Sequence, residues 1–200
     1  MRVSVAVLAG GQSRRMGRDK AFLSVGGKPV IQRVFERVAP LSDDLILVTN
    51  TPDKYAAYTD YRIVGDVHPG KGSLGGVYSA LIAARHPHCL IVACDMPFLN
   101  TRLLKYLARL ARFWDYDVVV PVISGRWETM HAVYSKRCLD PIEECLRRGK
   151  LRVCDFFEKV RLCVVEPDRL ERFDPFLRSF LNMNTPEEWR ALQHIAEANA

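Results

Sequence analysis

Val3-Ser4-Val5-Ala6-Val7-Leu8-Ala9-Gly10-Gly11-Gln12-Ser13-Arg14-Arg15-Met16-Gly17-Arg18-Asp19-Lys20 is the stretch on which the reading of the whole chain turns. Val3 to Leu8 is a short apolar run rich in β-branched residues, the pattern of a strand covered on both faces in a parallel sheet. The chain leaves that strand through Gly10, Gly11 and Gly17, with Arg14, Arg15, Arg18 and Lys20 among and after them. Glycine lets backbone N–H groups approach a ligand and adopt positive φ, and the cations add charge, so the loop suits phosphate oxygens. Neither the Walker pattern GxxxxGK[ST] nor the dinucleotide pattern GxGxxG is present.

Outward from this loop the periodicity alternates. Pro29 opens a helix with Val30, Ile31, Val34, Phe35 and Val38 inward. Leu45 to Val48 reads as a second strand, followed at Asn50-Thr51-Pro52-Asp53 by an N-capped helix start. Arg62 to Val64 is a brief third strand ending at Gly65-Asp66. The second glycine loop, Gly70 to Gly76, leads into a helix patterned on Leu74, Val77, Tyr78, Leu81 and Ile82, whose N-terminus favours anions or polar base edges. Cys89 to Cys94 is the most apolar strand, and it presents Asp95 at its C-terminal end, the edge where open parallel sheets bind ligands. Asn100 or Thr101 caps a helix carrying Leu103, Leu104, Leu107 and Leu110, and Val118 to Val122 is a further strand.

This order predicts an α/β chain with a doubly wound, mostly parallel, Rossmann-like sheet. The less regular remainder, with strands at Thr129 to Tyr134 and Arg161 to Val165 and helices at Leu139 to Leu146 and Val153 to Phe157, predicts a mixed or antiparallel C-terminal extension. Thr185, Pro186 and Glu188 spell a capping box for a last helix with Trp189, Leu192 and Ile195. A single domain of 200 residues is expected, its nucleotide part at about 1–100 and its acceptor part at about 101–200.

Composition narrows the classes. The chain is 48% hydrophobic and 26% charged, which argues against disorder, and no apolar run reaches a membrane span of about 18 residues. No membrane partner and a cytoplasmic location are expected. Lys+Arg 29 against Asp+Glu 23 gives +6. The cations of the opening loop are spaced by glycine rather than by aromatic residues, which favours a small phosphorylated ligand over nucleic acid. The six cysteines form no CxxC pair and read as free, mostly buried thiols. His86-Pro87-His88-Cys89 reads as a turn before a strand rather than a metal site, and Arg147 to Arg152 as a solvated helix end.

A glycine turn after the first strand, a lysine at its far end and Asp66 and Asp95 at later strand ends are the parts of a site for a nucleoside triphosphate with Mg²⁺, which is held by one or two carboxylates plus phosphate oxygens. Together LAGGxSxRMGxDK, the GxLxG-type loop, CDMP and NxNTPEE resemble the molybdenum cofactor guanylyltransferases, the MobA family, along nearly the whole chain and in the same order. Leu8-Ala9-Gly10-Gly11 matches the guanine-using pattern rather than the LAAG of cytidylyltransferases; Gly72-Ser73-Leu74-Gly75-Gly76 departs from the usual GPLAG.

The resemblance implies transfer of GMP from GTP to the terminal phosphate of molybdopterin or molybdenum cofactor, with release of pyrophosphate and Mg²⁺ as cofactor. It implies that Leu8, Ala9, Gly10, Gly11, Arg14, Lys20, Asn50, Asp66 and Asp95 bind the nucleotide. Lys20, Arg15 and Asp95 would be catalytic, with Asp95 on the metal and Asn182 and Asn184 on the acceptor side. Glu128 to Tyr134 borders the acceptor in that family, but His131 reads equally as a satisfied strand histidine and is assigned no catalytic role. A molybdoenzyme or chaperone partner and a monomer or weak homo-oligomer are the implied associations. A cytidylyl- or other nucleotidyltransferase of the same fold, and a non-catalytic nucleotide-binding assembly factor, remain alternatives. A phosphate monoester is already anionic near neutral pH, so the absence of a Ser-His-Asp or Cys-His set is consistent with such a reaction.

Overall fold

The computed structural model describes residues 2–10 and 20–198. Among these, eight strands form one sheet. In chain order they are β1 (Ser4–Leu8), β2 (Leu45–Val48), β3 (Arg62–Val64), β4 (His88–Ala93), β5 (Val118–Ile123), β6 (Arg126–Trp127), β7 (His131–Ser135) and β8 (Leu162–Val165). Across the sheet the order is β8-β5-β7-β4-β1-β2-β3, with β6 paired to β5. β1 lies between β2 and β4 and is parallel to both, in registers Leu8 with Val48 and Leu8 with Ala93. β3 and β8 extend the parallel pairing on β2 and β5.

The C-terminal strands build the mixed part of the sheet beyond β4. β7 lies inside it, hydrogen-bonded antiparallel to β4 on one side and β5 on the other. Its five residues are all buried, and a strand covered on both faces is most stable away from an edge. β7 also begins two residues later than the pattern suggested, because the chain turns at Thr129, whose carbonyl accepts a hydrogen bond from the Tyr134 hydroxyl at 2.7 Å. β6 is a short hairpin return whose turn uses Ser124 and Gly125 at φ 49° and 74°.

Side chains alternate across the strands into two apolar layers. Val5, Val7, Leu90, Val92 and Val133 face α1 (Val30–Val38), α3 (Thr101–Trp114) and α6 (Pro186–Glu197). Ala6, Ile46, Ile91, Val120 and Tyr134 face α2 (Gly72–Ala83) and α4 (Leu139–Arg147), and a short α5 (Pro167–Glu171) follows β8. The inward residues read from the helix starting at Pro29 are all buried, although Pro29 itself is the cap residue and closes a small Ser24–Val25/Lys28–Pro29 hairpin. In α2 the apolar pattern holds except at Ile82, which is exposed. Asn100, not Thr101, caps α3, accepting from the N–H groups of Arg102 and Leu103.

The opposite edge of the sheet is held by one buried carboxylate. Asp44 accepts hydrogen bonds from the Ser4 hydroxyl (2.6 Å), Arg62 Nη2 (2.7 Å) and the Arg85 N–H (2.8 Å), tying β1, β3 and the α2–β4 connection. Burial alone would raise its pKa, but these donors outweigh it and hold the carboxyl below its ordinary range. All six cysteines are free, with Cys89, Cys138 and Cys145 buried. His86 and His88 have separate partners, the Asp43 carboxylate and the Tyr116 carbonyl, as a turn-and-strand reading requires. Arg148 and Arg152 pair with Glu144 and Asp155 on an exposed helix end.

Candidate active site

The C-terminal ends of β1, β2, β3 and β4 bring the candidate residues to one edge. Leu8 and Ala9 are fixed there by backbone bonds to both neighbours: Ala9 N–H donates to the Val48 carbonyl (2.9 Å), and Cys94 N–H to the Leu8 carbonyl (3.1 Å). Gly10 follows, and a Cβ on it would meet none of the described atoms within 4 Å. Gly11, Arg14 and Arg15 lie outside the described residues.

Asn50 and Asp66 form a closed pair between the ends of β2 and β3. Asn50 Nδ2 donates to Asp66 Oδ2 and the Asp66 N–H donates to Asn50 Oδ1, both at 2.9 Å. The expected N-capped helix after Asn50 is therefore absent: its side chain is committed to Asp66, Thr51 makes no side-chain cap, and only a single 3₁₀ turn (Pro52–Lys54) forms. Asp66 is braced from the other side by the start of α2. A Cβ on Gly76 would sit 3.1 Å from Leu8 Cδ1 and 3.9 Å from Asp66 Oδ1, and one on Gly75 would sit 3.1 Å from the His68 carbonyl oxygen. Glycine at both places lets the helix close onto β1 and the carboxylate, which gives the glycine loop a packing reason.

Lys20 and the chain's penultimate motif meet across the sheet edge. Lys20 Nζ donates to Asn184 Oδ1 at 2.9 Å, and Asn184 Nδ2 donates to Asn182 Oδ1 at 2.8 Å. The capping box supports this contact: Thr185 Oγ1 accepts from the Glu188 N–H, while Glu188 Oε2 accepts from the N–H groups of Asn184 and Thr185. Glu188, read in the sequence only as a cap, thus also orients Asn184, and a cap-box glutamate that bonds one residue upstream of the cap carries no separate sequence signal. α6 is fastened to the hairpin after Lys20 by Trp189 Nε1 and Gln193 Nε2, which both donate to the Ser24 carbonyl at 2.8 Å.

Asp95 stands two residues past the end of β4. Burial raises its carboxyl above the ordinary 3.8; Lys20 and its own backbone pull the pKa back, and Glu188 adds to the rise. Among the described residues Lys20 is the cation that acts on Asp95. A desolvated carboxylate is the kind of hard oxygen donor that could hold a divalent cation. A separate cleft of about 850 Å³ is lined by Arg33, Arg37, Phe98, Arg102 and Arg178 and contains none of Lys20, Asn50, Asp66 or Asp95. Arg33 there is engaged by the hairpin, donating to the Val25 and Gly26 carbonyls.

The sheet is mostly parallel, Asp66 and Asp95 lie just past the C-terminal ends of β3 and β4, and Lys20 acts on Asp95, an α/β arrangement of the nucleotidyltransferase kind. The chain belongs to the MobA-like NTP transferase family, whose domain model matches residues 5–161. It is 38% identical to a molybdenum cofactor guanylyltransferase of Desulfosudis oleivorans and 35% identical to a probable one of Natranaerobius thermophilus, each alignment covering 93% of this chain and 92% of the relative. The fold matches the crystal structure of molybdopterin-guanine dinucleotide biosynthesis protein A from Archaeoglobus fulgidus with TM-score 0.88 and 27% identity, over 98% of this chain and all of that one. Among the described residues no helix is long and apolar enough to cross a membrane.

Proposed function

We propose that this protein is a molybdenum cofactor guanylyltransferase, which transfers GMP from GTP to the terminal phosphate of molybdopterin or molybdenum cofactor and releases pyrophosphate. The observation that supports the reading is Lys20, which bonds Asn184 and acts on the buried Asp95, while the Asn50–Asp66 pair stands at the C-terminal ends of β2 and β3 in the same sheet. The relatives' printed names supply guanine and the cofactor.

In this reading the nucleotide part, about residues 1–100, places guanosine at Asn50 and Asp66 and the triphosphate along Leu8 to Lys20, including Gly11, Arg14 and Arg15. Asp66 keeps Oδ1 free of Asn50 and presents it beside the α2 glycines, so the clamp orients an acceptor for base or ribose donors. Lys20 brings a charge-assisted donor to the phosphates, and Asn184 holds its ammonium in place until they arrive. Mg²⁺ would be held by Asp95 and phosphate oxygens, supplying charge neutralisation as two polyanions approach. The acceptor enters from residues 101–200, with Asn182 and Asn184 on its side. Because the acceptor phosphate is already ionised, the residues need only position it and offset charge, and no general base is required.

The test is pyrophosphate release and GMP transfer from labelled GTP with molybdopterin and Mg²⁺. Transfer by the parent and its loss in Asp95→Ala with the fold retained are expected. An Asp95→Ala variant that still turns over with Mg²⁺ overturns the assignment of the site.

A further inference from the structure

Four arginines from three parts of the chain line the cleft of about 850 Å³ that holds none of the candidate active-site residues. Arg33 and Arg37 come from α1, Arg102 from the first turn of α3, and Arg178 from the 3₁₀ turn Arg178–Phe180. The volume is that of a small-molecule pocket. The two carboxylates in its wall have other partners: Asp174 is buried and accepts from the Ser179 N–H at 2.7 Å, and Glu197 faces His194 of its own helix at 3.6 Å. Among the described residues Arg33, Arg37 and Arg102 form no ion pair within 4.0 Å. Like charges gathered in one concavity raise a positive potential that a bound anion relieves.

The backbone around the cleft is shaped to hold two of these guanidinium groups. Arg33 donates from Nε to the Val25 carbonyl and from Nη2 to the Gly26 carbonyl, and it lies over the Phe98 ring, 6.0 Å from its centroid. A guanidinium carries five N–H donors, so the two carbonyls take only part of the fork. Gly26 stands at φ 57°, and a Cβ there would run into Arg33 Nη2 and Ala196 Cβ, so glycine is what lets the hairpin close on the guanidinium. Arg178 is placed by a strained turn. Leu177 enters it at φ 50°, a left-handed conformation that a leucine adopts at a cost, and Ser179 fixes it by accepting from the Asn100 N–H and donating to Asp174, both at 2.7 Å. Backbone strain of this kind concentrates where ligands are held.

We propose that this cleft binds a small-molecule oligophosphate, held by Arg33, Arg37, Arg102 and Arg178 at a site separate from the loop after β1. The planar guanidinium fork matches phosphate oxygens in bidentate pairs, and a chain of two or three phosphoryl groups offers enough oxygens to engage several forks at once. The wall does not suit a protein segment. Its apolar members Leu99 and Ala196 are buried and Phe98 is partly buried beside Arg33, so the cleft has no apolar pocket for the anchor side chain that a protein partner would insert. The proposal does not rest on the guanylyltransferase reading.

The probe is tripolyphosphate, added to the full chain without Mg²⁺. It should protect Arg37 and Arg102 from modification by phenylglyoxal, mapped by mass spectrometry, while the exposed Arg109 farther along α3 stays reactive. In calorimetric titrations the Lys20→Ala variant should keep this binding, and the double variant Arg37→Ala/Arg102→Ala should weaken it by at least about tenfold, the loss of hydrogen bonds from two charged groups. Both arginines are exposed, so the double variant should fold as the parent does. Lys105→Ala/Arg109→Ala, which removes the same charge from another exposed part of α3, should change nothing. Equal protection of Arg109, undiminished affinity in the Arg37/Arg102 variant, or tighter binding of hexaglutamate than of tripolyphosphate overturns the proposal, the last by making the cleft a dock for an acidic protein segment. A parent that transfers no GMP removes the guanylyltransferase reading and leaves these results standing.

Discussion

Lys20 Nζ and Asn184 Oδ1 are 2.9 Å apart although 164 positions separate them in the chain. This contact joins the end of the first glycine loop to the motif before the last helix, and it places the only charge-assisted donor of the loop among the described residues against the acceptor side. Replacing Lys20 with Ala should reduce kcat/KM for GTP by about 10- to 150-fold, the range for one hydrogen bond to a charged group. Asn184→Ala should cost less, about two- to tenfold, and should act mainly on the acceptor's KM. Steady-state kinetics with each substrate varied separates the two.

Asp95→Asn should remove transfer and at the same time leave the ligand-free protein at least as stable as the parent at neutral pH. The sign follows from the raised pKa: the folded state favours the protonated carboxyl, so once pH exceeds the folded pKa the ionised group destabilises the fold. An amide removes that penalty, and the difference should vanish in acid below the unfolded value of 3.8. Melting curves at a series of pH values without ligand check it.

Asn50→Ala should remove both bonds of the clamp, the one to the Asp66 carboxylate and the one from the Asp66 N–H. The expected result is a KM for GTP raised about fivefold and a smaller preference for GTP over CTP, with the melting temperature little changed because the pair is exposed. Competition of the two nucleotides in the transfer assay measures it.

Asp44→Ala should be the most destabilising of these changes, by about 1 to 3 kcal/mol, because it leaves the Ser4 hydroxyl and the Arg85 N–H without their acceptor at the foot of β1. The folded pKa is depressed, so the carboxylate's contribution is full above the ordinary 3.8 and is lost as pH falls through the folded value. Denaturant unfolding of parent and variant should accordingly differ strongly at pH 7 and progressively less in acid.

Much of this architecture could be read from the order of residues. Uninterrupted apolar runs fall on β1, β2, β4 and β5 because a parallel sheet covered on both faces selects for them, and Thr185, Pro186 and Glu188 mark the start of α6 through short-range bonds alone. What could not be read depends on partners far along the chain. The central placement of β7 is decided by pairing with β4 and β5, which no local period records. Asn50 carries the same letters whether it caps a helix or clamps Asp66, and the structure chooses the clamp. That the His131 nitrogens have no hydrogen-bond partner among the described residues is legible only once its neighbours are known, since a histidine in a strand pattern is ordinarily satisfied.

The most direct test of the account is guanylyl transfer measured with GTP, CTP, ATP and UTP in parallel, each with Mg²⁺ and molybdopterin. Pyrophosphate release and a guanine dinucleotide product with GTP, lost in Asp95→Ala, are the predicted result. Equal or faster transfer from CTP would contradict the choice of base, and transfer by Asp95→Ala would contradict the site itself.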